Sequence, residues 1–276
     1  MATQSVNVNP DITIFRGFKE TRNYTWSPYV NKLEARLRFA GVRYKIGVGS
    51  LKAAPRGKVP YIECRDLSAT SSSGKGEDSL PKVQLGDSTL IIKTLAEWDV
   101  LPDLNRALDP SKRLQDMALI ALLENKLSFY QTWERWIQNY YTMRDHVLWP
   151  IPYPIRIVVG LLAYRANATM LNGQGTGRFT KEEIEQSTCE IWETISAQLV
   201  TSRSSSKGGD DKPFWVLGGE EPTEADACLF GFIVSAWICT AGPKAHDIIK
   251  SFPVLLDYAG RIHDRYFPDY EKWAVE

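Results

Sequence analysis

Residues 57–62 read Gly-Lys-Val-Pro-Tyr-Ile, and residues 85–92 read Leu-Gly-Asp-Ser-Thr-Leu-Ile-Ile. The proline of the first stretch stands at the mouth of a short apolar run, where it can open a strand but cannot continue an interior ladder. We predict a cis Val59-Pro60 bond, because that form costs only about 0.5 to 1 kcal/mol at an X-Pro bond and turns the backbone of Val59 outward. In the second stretch, Gly86-Asp87 predicts a turn and Ser88 stands where an amphipathic helix begins. A helix N-terminus attracts a carboxylate, so this second stretch predicts a place that favours an acidic ligand group.

The composition limits the class of partner. The 276 residues include 33 Lys plus Arg and 33 Asp plus Glu, so the chain has no basic field to bind nucleic acid or an anionic membrane. The longest uncharged run, 227–242, is shorter than the ~20 residues of a membrane span and is interpreted as a buried core helix. The polar start, 1–10, lacks the basic and apolar regions of a signal peptide, which predicts a cytoplasmic protein.

Cysteine and histidine spacing predicts no metal site. The four cysteines show no CxxC pair, and the three histidines are far apart in sequence: Cys64, Cys189, Cys228, Cys239, His146, His246 and His263. Neither a disulfide framework nor a zinc site is therefore expected.

The first hundred residues predict a mixed sheet. Residues 11–15 and 42–48 are predicted strands, and a helix that Ser27 caps and Pro28 begins lies between them. A whole helix between two strands predicts that they are parallel. Residues 61–64 and 83–85 are predicted as two further strands, joined by a mobile low-complexity insertion over 65–82.

The rest of the chain predicts helices. Residues 101–108 are interpreted as a linker, after which one very long helix is predicted over 111–148, with Asp109-Pro110 at its start. Further helices are predicted over 155–171 and 180–199, the second with a capping box, and 201–212 is predicted as a disordered loop. Thr223 and Asp226 predict another capping box, in front of the buried run.

These stretches resemble a known family. "GKVPYIE" and "GDSTLIIKTLAEW" are similar to the K-I/V-P-x-I/L and E/D-S-x-x-I-I elements of glutathione transferases. The resemblance implies an α+β two-domain fold, with a thioredoxin-like mixed sheet in 1–105 and an all-α bundle in 106–276. In that family the proline is cis, the residue before it pairs with the cysteinyl backbone of glutathione, and the acidic residue and serine hold the γ-glutamyl end. It therefore implies glutathione binding at Lys58, Val59, Pro60, Asp87 and Ser88.

Two further stretches resemble the branch of failed-axon-connections and metaxin-like proteins. They are "WSPYVNKLEARLRFAG" and "EEPTEADACLFGF". That branch commonly reads S-P-F-C at the start of the first helix, whereas this chain has Val30 at the fourth position. Thiol-transferase chemistry is therefore not expected, and Cys64, on a strand, is a poor substitute.

Ser27 is the predicted catalytic residue. The resemblance implies this role, since the serine of an S-P-F/Y element activates glutathione in plant-type and zeta-type transferases. The physics suits it, because a hydroxyl at a helix N-cap can donate to a thiolate near free backbone N–H groups. The alternatives are that Ser27 is only a helix cap, or that Tyr24, Thr25 or Tyr29 supplies the hydroxyl.

Other candidate positions are less specific. Tyr130 and Trp133 are predicted to line a pocket for an apolar cosubstrate, although most of the aromatic face of the long helix is expected to be core. Arg56 and Lys58 either meet the glycine carboxylate of glutathione or are solvated surface charges. His146 is interpreted as a capping or surface residue rather than a base.

The predicted function is glutathione-dependent addition to an apolar conjugated electrophile. A persistent adduct makes the protein a transferase. An adduct that rotates and expels glutathione makes it a cis–trans isomerase, and the family includes such proteins in fungal natural-product pathways. The alternative is a non-catalytic, glutathione-transferase-like interaction protein. The resemblance also implies a homodimer.

Overall fold

The computed structural model describes residues 10–50, 52–69, 80–205 and 212–274. In these ranges a four-stranded mixed sheet with two helices precedes a larger, all-helical part. This is the α+β two-domain fold predicted from the sequence.

The sheet has the strand order β2-β1-β3-β4. β1 is parallel to β2, as predicted, and β3 is antiparallel to both β1 and β4. The strands are β1 (Thr13–Phe15), β2 (Lys45–Gly47), β3 (Tyr61–Arg65) and β4 (Lys82–Gly86).

The first two strands begin later than predicted. Asp11 has a φ of 46°, which an extended strand does not allow. Before β2, Gly41 has a φ of 68°, and the Val42 N–H donates to the Leu37 carbonyl at 3.0 Å. This is a left-handed glycine cap, so Val42 still belongs to the end of the preceding helix.

The first helix, α1 (Pro28–Phe39), lies between the two cores. Ser27 caps it and Pro28 begins it, as predicted. Leu33 and Leu37 pack in the core under the sheet, and Ala35 packs in the helical core. A Cβ on Gly231 would lie 2.5 Å from the Pro28 carbonyl oxygen, so glycine at this position permits the close crossing. The N-terminus of α1 is thereby fixed between the two domains.

The second helix, α2 (Ser88–Glu97), begins at the predicted residue. Its cap, however, is the preceding residue, since the Asp87 carboxylate accepts from the N–H groups of Thr89 at 3.0 Å and Leu90 at 3.2 Å. A carboxylate at this position stabilises the free N–H groups of the first turn.

The prediction of one unbroken helix over 111–148 was wrong. Asp109 caps α3 (Pro110–Leu122), as predicted, and α4 (Ser128–Trp133) and α5 (Tyr140–Val147) follow. Wider π turns, Leu123–Leu127 and Glu134–Gln138, flank α4. At the break, both the backbone N–H of Asn139 (3.0 Å) and its side-chain amide (3.1 Å) donate to the Glu134 carbonyl. This side chain competes for a backbone acceptor and ends the regular ladder.

Of the remaining helices, the first two are longer than predicted, the third begins and ends earlier than the predicted buried run 227–242, and the last two were not predicted. In order, these helices are α6 (Tyr153–Gln174), α7 (Lys181–Ser205), α8 (Glu224–Ile238), α9 (Pro243–Ser251) and α10 (Pro253–Tyr266). The start of the predicted loop 201–212 is helical, and the hydroxyls of Thr201, Ser204 and Ser205 donate to carbonyls one turn earlier instead of ending the helix. Residues 206–211 of that loop, and 70–79 of the predicted insertion, lie outside the described residues.

The core of the helical domain is built on α8, which is buried from Ala225 to Trp237. Both predicted capping boxes form, Thr180 with Glu183 and Thr223 with Asp226. Among the described residues, no single helix has the length and hydropathy to cross a membrane. Only α8 and α9 together pass that test, and they are bent by 116°.

Candidate glutathione site

The sheet register brings the predicted residues to one edge. Phe15 is paired with Tyr61, and Tyr61 is paired with Gly86. The end of β1, the start of β3 and the end of β4 therefore lie side by side. Val59 precedes this edge and Asp87 follows it.

Helices α1 and α2 also meet near their N-termini. The Lys32 ammonium, in the second turn of α1, donates to the Thr89 hydroxyl of α2 at 2.9 Å. The first turns of both helices therefore lie close together. Their N-terminal N–H groups favour negative charge in the same region.

The backbone of Val59 is unpaired. The Val59-Pro60 bond is cis, as predicted. Pro60 is buried and Val59 is half-buried. Across the described ranges, no hydrogen bond reaches the N–H or the carbonyl of Val59. The N–H and the carbonyl of Val59 are therefore open to a ligand, and an extended peptide could supply both hydrogen bonds.

Asp87 and Ser88 keep hydrogen-bonding capacity. One Asp87 oxygen caps α2, and the other has no partner within the described part of the chain. Asp87 has a φ of 78°, which aspartate tolerates better than most residues. Ser88 is 3% exposed, and no described residue hydrogen-bonds its hydroxyl. These free groups are suited to an amine and a carboxylate.

The Ser27 hydroxyl makes one long hydrogen bond with the first turn of α1. It accepts from the Val30 N–H at 3.4 Å. No described acceptor takes the hydroxyl proton of Ser27, so this hydroxyl can still donate to a ligand.

The three alternative hydroxyls are already committed. The Tyr24 hydroxyl hydrogen-bonds His263 Nδ1 at 2.7 Å, and burial raises the Tyr24 pKa far above its usual range. Thr25 is buried and its hydroxyl contacts Ser27 and Asn31. The Tyr29 hydroxyl hydrogen-bonds the Ser128 side chain, and burial raises the pKa of Tyr29 to about 12. Of the four candidates, only the Ser27 hydroxyl therefore combines partial exposure with an unused proton.

Arg56 and Lys58 differ in how close they lie to the candidate site. Both are exposed, but the Arg56 side chain lies over Gly86, where an added Cβ would be 3.4 Å from Arg56 Cγ. Arg56 is therefore next to Asp87 and Ser88. Lys58 has no hydrogen-bond or ion-pair partner among the described residues.

Tyr130 and Trp133 lie elsewhere. They line a small cleft between α4, α7 and α9, together with Ile184, Thr188 and Ile248. No residue of the sheet edge lines this cleft, and Tyr130 is only 3% exposed. The structure does not bring these two aromatic residues together with Ser27.

Sequence reasoning missed Lys32, which is 3% exposed. Its ammonium forms an ion pair with Glu124 at 2.6 Å in addition to its hydrogen bond to Thr89, so it joins α1, α2 and the helical domain behind the site. A signal for it exists, because α1 carries Lys32, Glu34 and Arg36 within a helix that both domains bury. Charged residues in such a helix are buried only when they are paired.

His146 corrects another interpretation. It is neither a cap nor a free surface residue. Its ring stacks on Trp26 at 3.4 Å between centroids and contacts Phe18 at 4.7 Å. Burial lowers its pKa to about 4. In the described ranges, no group of three or more His, Cys, Asp and Glu side chains could hold a metal ion.

The family model of the glutathione S-transferase N-terminal domain matches residues 28–143, which is less than half of the chain. No curated protein matches the sequence.

Solved structures share the whole fold. A glutathione transferase GSTFuA3 from Phanerochaete chrysosporium is 17% identical over 96% of this chain and 99% of its own, with a TM-score of 0.55. GSTFuA2 from the same organism is 16% identical over 93% and 98%, also with a TM-score of 0.55. A glutathione transferase Omega 3C from Trametes versicolor is 14% identical over 96% and 90%, with a TM-score of 0.51. At these identities the likeness shows that this chain has the glutathione transferase fold.

Proposed function

We propose that this protein binds glutathione at the edge formed by Val59, Asp87 and Ser88, and that Ser27 activates its thiol. The observation that carries the proposal is the backbone of Val59, whose N–H and carbonyl have no hydrogen-bond partner among the described residues. The cysteinyl N–H and carbonyl of a bound peptide would complete it. The free oxygen of Asp87 and the Ser88 hydroxyl would then hold the γ-glutamyl end, and Arg56 or Lys58 the glycine carboxylate.

The reaction we propose is addition of the glutathione thiolate to an apolar conjugated electrophile in the cytoplasm. The Ser27 hydroxyl donates to the sulfur, while the N-termini of α1 and α2 add partial positive charge. Lowering a thiol pKa from ~8.5 to ~6.5 requires about 2.7 kcal/mol, which one charge-assisted hydrogen bond and a helix terminus can supply. The sulfur then bonds to carbon and the π pair moves away from it. A proton from water at the resulting carbanion gives a lasting conjugate. If the adduct rotates first and the electron pair returns to the π bond, the thiolate is expelled and the net reaction is an isomerisation.

Calorimetry with reduced glutathione tests the first step. We expect binding to the wild type and at least tenfold weaker binding to the double variant Asp87→Ala/Ser88→Ala. The matched control is Asp109→Ala, which removes an aspartate cap from α3 in the helical domain. Absence of binding at millimolar glutathione would reject the proposal.

A conjugation assay with chlorodinitrobenzene follows on the same preparations. Conjugation supports a transferase. If glutathione binds without conjugation, we expect a specialised isomerase or transferase, and a cis–trans pair of conjugated ketones becomes the next substrate. Tyr130→Ala and Trp133→Ala test the pocket predicted from the sequence, and because their cleft lies apart from Ser27 we expect both variants to retain conjugation.

One observation favours the second candidate function, an interaction protein. Helix α6 exposes Val158, Leu161 and Leu162 at 60%, 46% and 60%, together with Ile155 at 57%. An apolar helix face of this kind is typical of a protein contact. Light scattering tests the predicted homodimer. Self-association without glutathione binding would favour the interaction role over the enzymatic one.

A further inference from the structure

A second cleft lies between the β1–α1 loop and the end of α5. It has a volume of about 180 Å³ and is lined by loop residues between Arg16 and Trp26 and by His146. An engineered cavity of about 150 Å³ holds one benzene molecule. The cleft therefore has room for one aromatic ring with a short substituent.

His146 offers only its edge to this cleft. Trp26 stacks on the imidazole with an interplanar angle of 13°, and Phe18 lies against it at 31°. The Trp26 and Phe18 rings cannot both lie on the same face of the imidazole, so each of them covers one of its two faces. The edge carries the two nitrogens, and neither has a hydrogen-bond partner among the described residues.

The imidazole is neutral at physiological pH, because burial lowers the His146 pKa to about 4. A neutral imidazole has one N–H donor and one acceptor nitrogen. His146 therefore offers a hydrogen bond to a ligand without supplying charge.

The cleft has no uncommitted cation among its lining residues. Arg16 is fully buried, and its guanidinium faces the Glu34 carboxylate at 3.5 Å and donates to the carbonyls of Glu20 and Thr21. The exposed Glu20 adds a negative charge to the rim. The nearby Arg135 guanidinium, which acts electrostatically on His146, already donates to the Trp26 carbonyl and to Ser235. A carboxylate ligand would therefore meet the Glu20 charge without a free cation, so the cleft favours an uncharged molecule.

We propose that this cleft binds an uncharged, planar conjugated molecule with one carbonyl group, whose oxygen accepts a hydrogen bond from the edge of His146. Trp26 supplies apolar surface for the ring, and it directly precedes Ser27. The ligand would therefore lie beside the residue proposed to activate glutathione. Its role as the cosubstrate rests on the proposed function, whereas its binding does not.

Three probes that share a β-substituted styrene unit test this assignment in the full-length protein without glutathione. They are benzylideneacetone, which has the carbonyl, β-methylstyrene, which lacks it, and cinnamate, which carries a carboxylate. We expect benzylideneacetone to bind at least tenfold more tightly than cinnamate in calorimetry. Equal affinity for these two probes, or no binding of the ketone at millimolar concentration, overturns the proposal.

Substitution of His146 separates its hydrogen bond from the shape of the cleft. His146→Phe should weaken benzylideneacetone about fivefold to tenfold, the loss of one hydrogen bond, and leave β-methylstyrene within about twofold. His146→Gln keeps a donor and should restore most of the ketone affinity. Equal losses for the ketone and the hydrocarbon would show that His146 only shapes the cleft, which contradicts the proposal.

Two controls allow the result to be interpreted even if a variant does not fold or glutathione does not bind. If His146→Phe fails to fold, as thermal unfolding would show, the wild-type preference for ketone over cinnamate decides alone. Glutathione calorimetry on the same preparations separates the two proposals. Ketone binding without glutathione binding refutes the proposed function and upholds the cleft, and the reverse result refutes the cleft alone.

Discussion

Two aspartates stabilise helix N-termini in this protein, and their surroundings differ. Asp226, at the start of α8, is fully buried and accepts four hydrogen bonds, from the Val216 N–H, the Tyr258 hydroxyl, and the N–H and hydroxyl of Thr223. Asp87, at the start of α2, is exposed and accepts two from its own helix, while its second oxygen has no partner among the described residues.

The difference shows how to tell a folding residue from a binding residue of the same type. A buried carboxylate whose oxygens are both saturated has no capacity left for a ligand, so its role is structural. An exposed carboxylate with one free oxygen, beside an unpaired backbone and an unpaired hydroxyl, retains that capacity. The same capping chemistry therefore serves stability at 226 and, we propose, binding at 87.

The largest expected effect comes from breaking the buried cap. Asp226→Ala leaves four donors without an acceptor, two of them at the N-terminus of the central helix. We expect the free energy of unfolding to fall by about 3–5 kcal/mol. The midpoint of urea denaturation measures this. Asp87→Ala is the control, with an expected loss of about 1 kcal/mol. Similar losses in both variants would contradict the comparison.

The second effect concerns Ser27, which caps α1 at the sheet edge. Ser27→Ala should leave glutathione affinity within about twofold, because Val59, Asp87 and Ser88 are proposed to carry it. It should raise the pKa of the bound thiol and slow turnover about tenfold to a hundredfold, as expected for a lost hydrogen bond of about 1.5–3 kcal/mol. An ultraviolet titration of the thiolate measures the pKa. Tyr29→Phe serves as the control. An unchanged thiol pKa in Ser27→Ala would pass the role to another hydroxyl or to the helix terminus.

The third effect concerns Asp87, which is proposed to hold glutathione without activating its thiol. Asp87→Ala should weaken glutathione binding about tenfold, the loss of one charge-assisted hydrogen bond, and leave the pKa of the bound thiol unchanged. Asp87→Asn keeps the size and one acceptor oxygen, so an intermediate affinity is expected. Calorimetry and the thiolate titration read the two quantities separately. A shifted thiol pKa with intact affinity would exchange the roles of Asp87 and Ser27.

The sequence predicted those parts of the fold that depend on neighbouring residues. Ser27-Pro28, Asp109-Pro110 and the capping box at Thr223 all begin helices, because a cap acts within one turn. The parallel pairing of β1 and β2 followed from the helix between them. The predicted glutathione residues lie at one sheet edge for the same reason, since short turns connect them to strands.

Contacts between distant parts of the chain could not be predicted. His146 stacks on a residue 120 positions earlier, and Lys32 pairs with Glu124 from another domain. The break at Asn139 depends on which acceptor its side chain reaches, and helical periodicity does not record that. The predicted cosubstrate pocket at Tyr130 and Trp133 lies apart from Ser27 for a related reason. An aromatic helix face predicts burial, but it does not identify which other helices will cover that face.

The smallest expected effect concerns His146, which is half-buried and has no hydrogen-bond partner among the described residues. Burial lowers the His146 pKa from its ordinary 6.5 to about 4, while Arg135 acts in the same direction and Glu20 opposes it. Between these two pH values the unfolded chain binds a proton that the folded protein does not. Stability should therefore be complete above pH 6.5 and decrease as the pH falls towards 4.

The ring is only half-buried, so solvent screening reduces the effect to about 1 kcal/mol at pH 5. Urea denaturation of wild type and His146→Phe at pH 7 and pH 5 measures it, and the variant should lose less stability on acidification. Some pH dependence should persist, because burial also lowers the pKa of His263. Equal losses in both proteins would show that the His146 ring already reaches enough water to be protonated in the folded state. It would then resemble Asp87, whose free oxygen is solvated, more closely than the buried Asp226.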